Sequence, residues 1–272
     1  MKTVTSKDGT TIAFDQCGSG PAIILVDGAL QYRAFDQGMN LLADLLSQHS
    51  TVIHYDRRGR GDSTDTQPYA LEREIEDIEA LIDETGGLAS LYGISSGAAL
   101  AMEAALALPH KVRKLAIYEV PYNDDDSARQ NWKKYVKQLR ELLDEGRKSD
   151  AVRLFMMLVG ASAENVDGIK QTPMWPMWKA IGHTLAYDHI AALGEDASVP
   201  TERAAMVAVP TLVMDGSESF PFMHVTAVTL ASTIPNAEHR TLEGQTHEVT
   251  AEALAPVLVE FFRADQTDIF FS

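Results

Sequence analysis

The chain has 272 residues, 45% of them hydrophobic and 23% charged, which fits one large soluble domain or a core carrying an inserted subdomain. Asp and Glu number 39 against 23 Lys and Arg, a formal net charge of −16; so acidic a surface repels phosphate backbones and anionic lipid, which argues against nucleic-acid and membrane-surface roles. Cys17 is the only cysteine, no apolar run is long enough to span a bilayer, and the polar start Met1–Gly9 lacks a signal-peptide core, so a cytoplasmic protein without disulfides is expected.

In chain order, Lys2–Ser6 and Thr10–Asp15 read as a hairpin about a Lys7-Asp8-Gly9 turn. Gly18-Ser19-Gly20-Pro21 breaks it, and Ala22–Val26 is a continuous apolar run, as expected of a strand buried on both faces. A helix is predicted over Leu41–Gln48, a strand over Thr51–Tyr55, and an amphipathic helix over Leu71–Glu84 with Ile75, Ile78, Leu81 and Ile82 on one side. Strand, helix and strand follow at Leu88–Tyr92, Ala98–Leu108 and Lys114–Tyr118. This alternation predicts a mostly parallel sheet with helices on both faces.

The alternation then stops. From Asn123 to about Pro200 the text is helical, with segments predicted up to Gly146, over Asp150–Val159 and over Met177–Ala192. Pro173-Met174-Trp175-Pro176-Met177-Trp178 is expected to depart from regular helix. Strands return at Val209–Met214 and Ala237–Leu242, a last helix spans Ala251–Phe262, and the tail Asp265–Ser272 is expected to be peripheral. The division that follows is a core of residues 1–121 and 201–272 with a helical lid, or cap, of residues 122–200. Such a lid covers the carboxyl ends of the strands, where open α/β sheets bind ligands.

Gly93-Ile94-Ser95-Ser96-Gly97 carries the chemistry. It lies between a strand and an Ala-rich helix, the context in which G-x-S-x-G forces a serine onto a tight turn with its hydroxyl exposed. A serine hydroxyl needs an adjacent base. Of eight histidines, His247 is the one in a loop between the last strand and the last helix, where it can swing toward Ser95. The acid that orients it is less fixed. The loop after Thr211–Met214 offers Glu218, with Ser219 beside it where aspartate is common, while Glu119 ends the strand next to the serine's own. A glutamate closing a buried apolar strand is costly without a partner, so Glu119 is favoured over Glu218. Backbone amides of Gly28 or Ala29, after the first central strand, and of Ser96 are the expected oxyanion donors.

Tyr55–Ser63 contains Arg57, Arg58 and Arg60 among Asp56 and Asp62, and reads as a turn pinned by Arg–Asp hydrogen bonds. No metal-ligand spacing or phosphate-cradling loop is present, so neither metal nor cofactor is expected. Aromatic and thioether side chains of the lid suggest an apolar pocket, with Trp175, Trp178 and Met157 as candidate walls.

The Ser95 elbow, His247, the Tyr55–Ser63 turn and the lid position resemble the α/β-hydrolase superfamily from Thr10 to Phe262. Val26-Asp27-Gly28 in place of the commoner His-Gly, Gly93–Ala98, Glu119-Val120-Pro121 and, more loosely, Pro173-Met174-Trp175 resemble the zearalenone-type lactonases. The Arg57–Asp62 cluster is more similar to bacterial esterases of the same superfamily. The resemblance implies an α/β-hydrolase fold and an acid at the place of Glu119. The expected activity is hydrolysis of a small apolar ester or lactone by Ser95, His247 and Glu119, with no cofactor and with a homodimer left open. The rivals are a perhydrolase or lyase using the same residues and a non-catalytic ligand-binding homologue.

Overall fold

A computed structural model describes residues 1–264; the tail Asp265–Ser272 lies outside the described residues. Its centre is a sheet of β1 (Lys2–Thr5), β2 (Thr11–Cys17), β3 (Ala22–Val26), β4 (Thr51–Tyr55), β5 (Ala89–Ile94), β6 (Val112–Tyr118), β7 (Thr211–Gly216) and β8 (Ala237–Leu242). The spatial order is β1-β2-β4-β3-β5-β6-β7-β8. β1 and β2 form the predicted hairpin and join β4 antiparallel, and every pair from β4 through β8 is parallel. The carboxyl ends of β3, β5, β6, β7 and β8 therefore face the same way.

Alternating side chains of the strands feed two cores. Ile24, Val26, Leu91 and Ile117 face α2 (Leu71–Glu84), α3 (Ser96–Ala107) and α9 (Pro221–Thr233). Ile23, Leu25, Tyr92 and Met214 face α1 (Gln37–Leu46) and α10 (Ala251–Arg263). β3 is buried along its whole length, as its unbroken apolar run requires. α3 is buried from Ser96 to Ala105, so its small side chains let it pack tightly beside β5 and β6. α9 lies where the sequence assigns no element: Val225, Thr226, Val228 and Thr229 are β-branched and weak helix formers, and packing on β7 and β8 decides the matter.

Between β6 and β7 the chain runs through α4 (Asp126–Asp144), α5 (Lys148–Leu158), α6 (Ala163–Ile169) and α7 (Met174–Ile181), then the one-turn α8 (Thr201–Ala204). These helices close over an apolar cluster of their own that includes Tyr135, Leu139, Val152, Trp175 and Leu185 and reaches Leu30 and Tyr32 of the core. Two expectations are corrected here. Met174–Trp178 is regular helix: Pro176 occupies the first turn of α7, where the amide it lacks would have had no intrahelical partner. Met177–Ala192 is not continuous: α7 ends at Ile181, a 3₁₀ turn covers Gly182–Thr184, and a widened π turn covers Tyr187–Ala192. Among the described residues, no helix is long and apolar enough to cross a membrane.

Candidate active site

Ser95 sits between β5 and α3 with φ 56° and ψ −128°, a conformation costly for any side chain. The flanking glycines explain how the turn closes. A Cβ on Gly97 would collide with the Val26 and Asp27 carbonyl oxygens, and one on Gly93 would meet the backbone of Gly97 and Ala98. The Ser95 amide donates to the Tyr118 carbonyl at 3.0 Å, so the residue that follows Tyr118 lies beside the elbow. That residue is Glu119, also at positive φ (46°) and 2% exposed. Backbone strain at a buried carboxylate is the kind of feature that clusters at working sites.

Glu119 is fully engaged. Its Oε1 accepts from the Gly216 amide (2.8 Å), and its Oε2 accepts from Ser219 Oγ (2.8 Å) and lies 2.7 Å from His247 Nδ1. His247 is partly exposed, in the loop after β8, and Tyr118 Oη ties that loop down by donating to the Thr246 carbonyl at 2.6 Å. The structure thus brings Glu119 and His247 together. Glu218 is exposed, and its amide donates to the Gln245 carbonyl. Ser95 Oγ makes no hydrogen bond to His247 here; such contacts often tighten only when substrate arrives.

The amides of Ser96, Gly28 and Ala29 differ in availability. Ser96 opens α3, whose first amides have no intrahelical acceptor. The Gly28 amide donates to Gln31 Oε1 at 2.8 Å. Among the described residues, the Ala29 amide has no acceptor.

Two arginines of the Tyr55–Ser63 turn hold the loop that carries Gly28. Arg57 Nη1 donates to the Asp27 carbonyl (3.1 Å), and Arg60 Nη1 donates to the Gly28 carbonyl (2.5 Å). Arg57 is paired with Glu74 of α2, and both guanidiniums converge on Asp188, which also accepts from Ser96 Oγ at 2.8 Å. Asp188 belongs to the π turn of the helical insertion, so one buried carboxylate ties the insertion to both candidate oxyanion segments. Burial alone would raise its pKa, but Arg57 and Arg60 outweigh burial and hold it well below the usual carboxylate range. Sequence reasoning missed Asp188, which stands 131 residues from Arg57. The available signal was indirect: arginines inside a chain this acidic need buried carboxylate partners. Asp27 has its own partner, His54 Nε2 at 2.9 Å, and His54 is raised because Asp27 outweighs the effect of burial.

Of the three expected pocket walls, Trp178 places its ring 5.7 Å from Phe35, which in turn stacks on Tyr32. Trp175 is buried within the insertion and donates to Ser149 Oγ at 3.1 Å. Met157 is 45% exposed. A cavity of about 670 Å³ bounded by Leu71, Ile75, Glu103, Tyr122 and Arg203 contains none of the candidate catalytic residues.

The insertion should be acid-sensitive through His189. Burial pushes this histidine down from 6.5 to about 4; Asp188 opposes the shift, and Arg60 and Arg57 add to it. Tyr135 Oη lies 2.6 Å from Nδ1, within hydrogen-bond distance of the ring. Between pH 6.5 and 4 the unfolded chain holds this proton and the folded chain does not, so stability falls as pH falls through that window. The histidine contributes about 3 kcal/mol, present in full above pH 6.5 and gone by pH 4. Urea unfolding of wild type and His189→Gln across pH 4–7 checks it. The variant should lose about that much less; equal losses would show that another group sets the slope.

Comparison with known proteins bears on the family and the fold. Over 126 residues, 44% of this chain, it is 29% identical to a zearalenone hydrolase of Cladophialophora bantiana, a match spanning 46% of that relative's length. The structure is similar to that of an alpha/beta hydrolase from Sphaerobacter thermophilus, with 51% identity, a TM-score of 0.84 and coverage of 96% of this chain and 100% of that one. It shares its fold with a thermophilic esterase from Thermogutta terrifontis at 21% identity and TM-score 0.71, covering 97% and 98% of the two chains. With the model of the alpha/beta hydrolase family matching residues 23–257, this chain belongs to that family.

Proposed function

We propose that this protein hydrolyses a carboxylic ester or lactone through an acyl-enzyme on Ser95. Ser95 Oγ attacks the carbonyl carbon while His247 Nε2 takes its proton. The Ser96 and Ala29 amides stabilise the oxyanion of the tetrahedral intermediate. Collapse expels the alcohol, which receives that proton from His247; in a lactone the alcohol stays tethered to the acyl group. Water, deprotonated by His247, then attacks the acyl carbon and Ser95 leaves with the proton. Glu119 holds the imidazole with Nδ1–H toward itself and Nε2 free, and the helices of residues 122–200 act as a lid over the strand ends. Between Gly28 and Ala29, the latter is favoured because the Gly28 amide already serves Gln31.

The observation that carries the proposal is the 2.7 Å contact between His247 and a buried, fully hydrogen-bonded Glu119 at the strand end beside the elbow. The zearalenone hydrolase relative makes a resorcylic macrolactone the first lactone to try. Nitrophenyl acyl esters and zearalenone should both be assayed, and an organophosphonate should modify Ser95 stoichiometrically. Absence of both turnover and labelling would sink the proposal; turnover of the ester alone would leave an esterase and remove the macrolactone.

A further inference from the structure

On the far side of β7 a second cluster is assembled. Asp215 is the penultimate residue of that strand, its side chain 1% exposed and turned toward α9 rather than toward Glu119. Its register partner on β8 is Thr241, and His239, two residues earlier, projects from the same face. α9 covers this face and contributes His224. Asp215 Oδ2 lies 2.8 Å from His224 Nδ1, and Oδ1 lies 2.6 Å from His239 Nε2. Thr241 Oγ1 donates to Oδ1 at 3.0 Å.

We propose that Asp215, His224 and His239 form a binding site for a first-row divalent cation of the zinc type. The two ring nitrogens and a carboxylate oxygen all lie within 4.8 Å of one another. A tetrahedral ion about 2.1 Å from each ligand needs ligand atoms roughly 3.4 Å apart, so the 2.6 and 2.8 Å contacts must open by about 0.6–0.8 Å. Both rings already aim a nitrogen at the carboxylate, which is the direction an ion between them would occupy. Two imidazoles and one carboxylate suit zinc better than calcium or magnesium, which prefer all-oxygen shells. Thr241 supplies the outer hydrogen bond that fixes the carboxylate's orientation. The His224 side chain is 55% exposed, which provides an entry path and room for a water as fourth ligand. The chain's net charge of −16 favours cation approach. No spacing rule reveals this set, because its members come from β7, α9 and β8.

Titration of the full chain with ZnCl₂ by calorimetry tests the site, with CoCl₂ as a coloured stand-in. One equivalent should bind, Co²⁺ should give the intense visible absorption of a four-coordinate ion, and zinc should raise Tm. His224→Ala and His239→Ala should each weaken binding at least about 10-fold, and Thr241→Val about 10-fold or more. His224→Ala removes an exposed side chain and should leave both folding and ester hydrolysis intact. Zinc binding of unchanged strength and stoichiometry in a His224→Ala/His239→Ala double variant would assign the ion to exposed histidines such as His49 and His110 and overturn the proposal. No binding by wild type would also overturn it, leaving a carboxylate–imidazole cluster that only holds α9 on the sheet.

Discussion

Ser95→Ala is expected to lower kcat for ester hydrolysis by about 10⁶-fold while leaving the fold intact. The fold should survive because the elbow is held by backbone contacts that the hydroxyl does not make. The Ser95 amide bonds the Tyr118 carbonyl, the Ser95 carbonyl accepts from Ala98 and Ala99, and Gly93 and Gly97 permit the close approach. Alanine suffers the same strain at φ 56° as serine. The chemistry, by contrast, loses its nucleophile and can proceed only by direct water attack assisted by the two amides, a residual of about 10³–10⁴ over the uncatalysed reaction. His247→Ala should fall nearly as far, and the double variant no further, because the pair acts as a unit. Single-turnover assays with melting curves as the folding control decide the outcome. A Ser95→Ala protein that keeps more than about 1% of wild-type kcat would remove Ser95 from the mechanism.

How legible each part was depends on how local its cause is. The elbow could be read because strand, glycines and helix lie within 20 residues. Glu119 could be singled out because a carboxylate closing an apolar strand contradicts its surroundings. The resolution of that contradiction, hydrogen bonds from Gly216, Ser219 and His247, could not be read, since it joins residues 97 to 128 positions apart. Asp188 and the Asp215 cluster were invisible for the same reason. α2 was read as an amphipathic helix, yet Glu74 and Asp77 on it are buried too, because Arg57 and Arg58 meet them there. α7 was misjudged because proline is costly inside a helix but tolerated in its first turn.

Glu119→Gln should lower kcat by about 10⁴-fold and leave KM nearly unchanged, while Glu218→Gln should stay within about twofold of wild type. The glutamine fits the same volume and can keep its carbonyl oxygen toward the Gly216 amide, as Oε1 is now. Its amino group then takes the place of Oε2, which today accepts from Ser219 Oγ and faces His247 Nδ1. A donor in that position stabilises the ring with Nδ1 bare and Nε2 protonated, the tautomer that cannot accept the Ser95 proton. It also removes the negative charge that stabilises the imidazolium formed during attack. Glu218 has no such leverage, since its exposed side chain lies off this network. Ser219→Ala separates the two contributions: it deletes one hydrogen bond to the carboxylate but leaves the charge, so its loss should be about 10-fold rather than 10⁴-fold. If Glu218→Gln proved the more damaging of the two glutamines, the acid would have to come from the loop after β7. The close Glu119–His247 contact would then be a structural hydrogen bond that merely anchors the loop after β8.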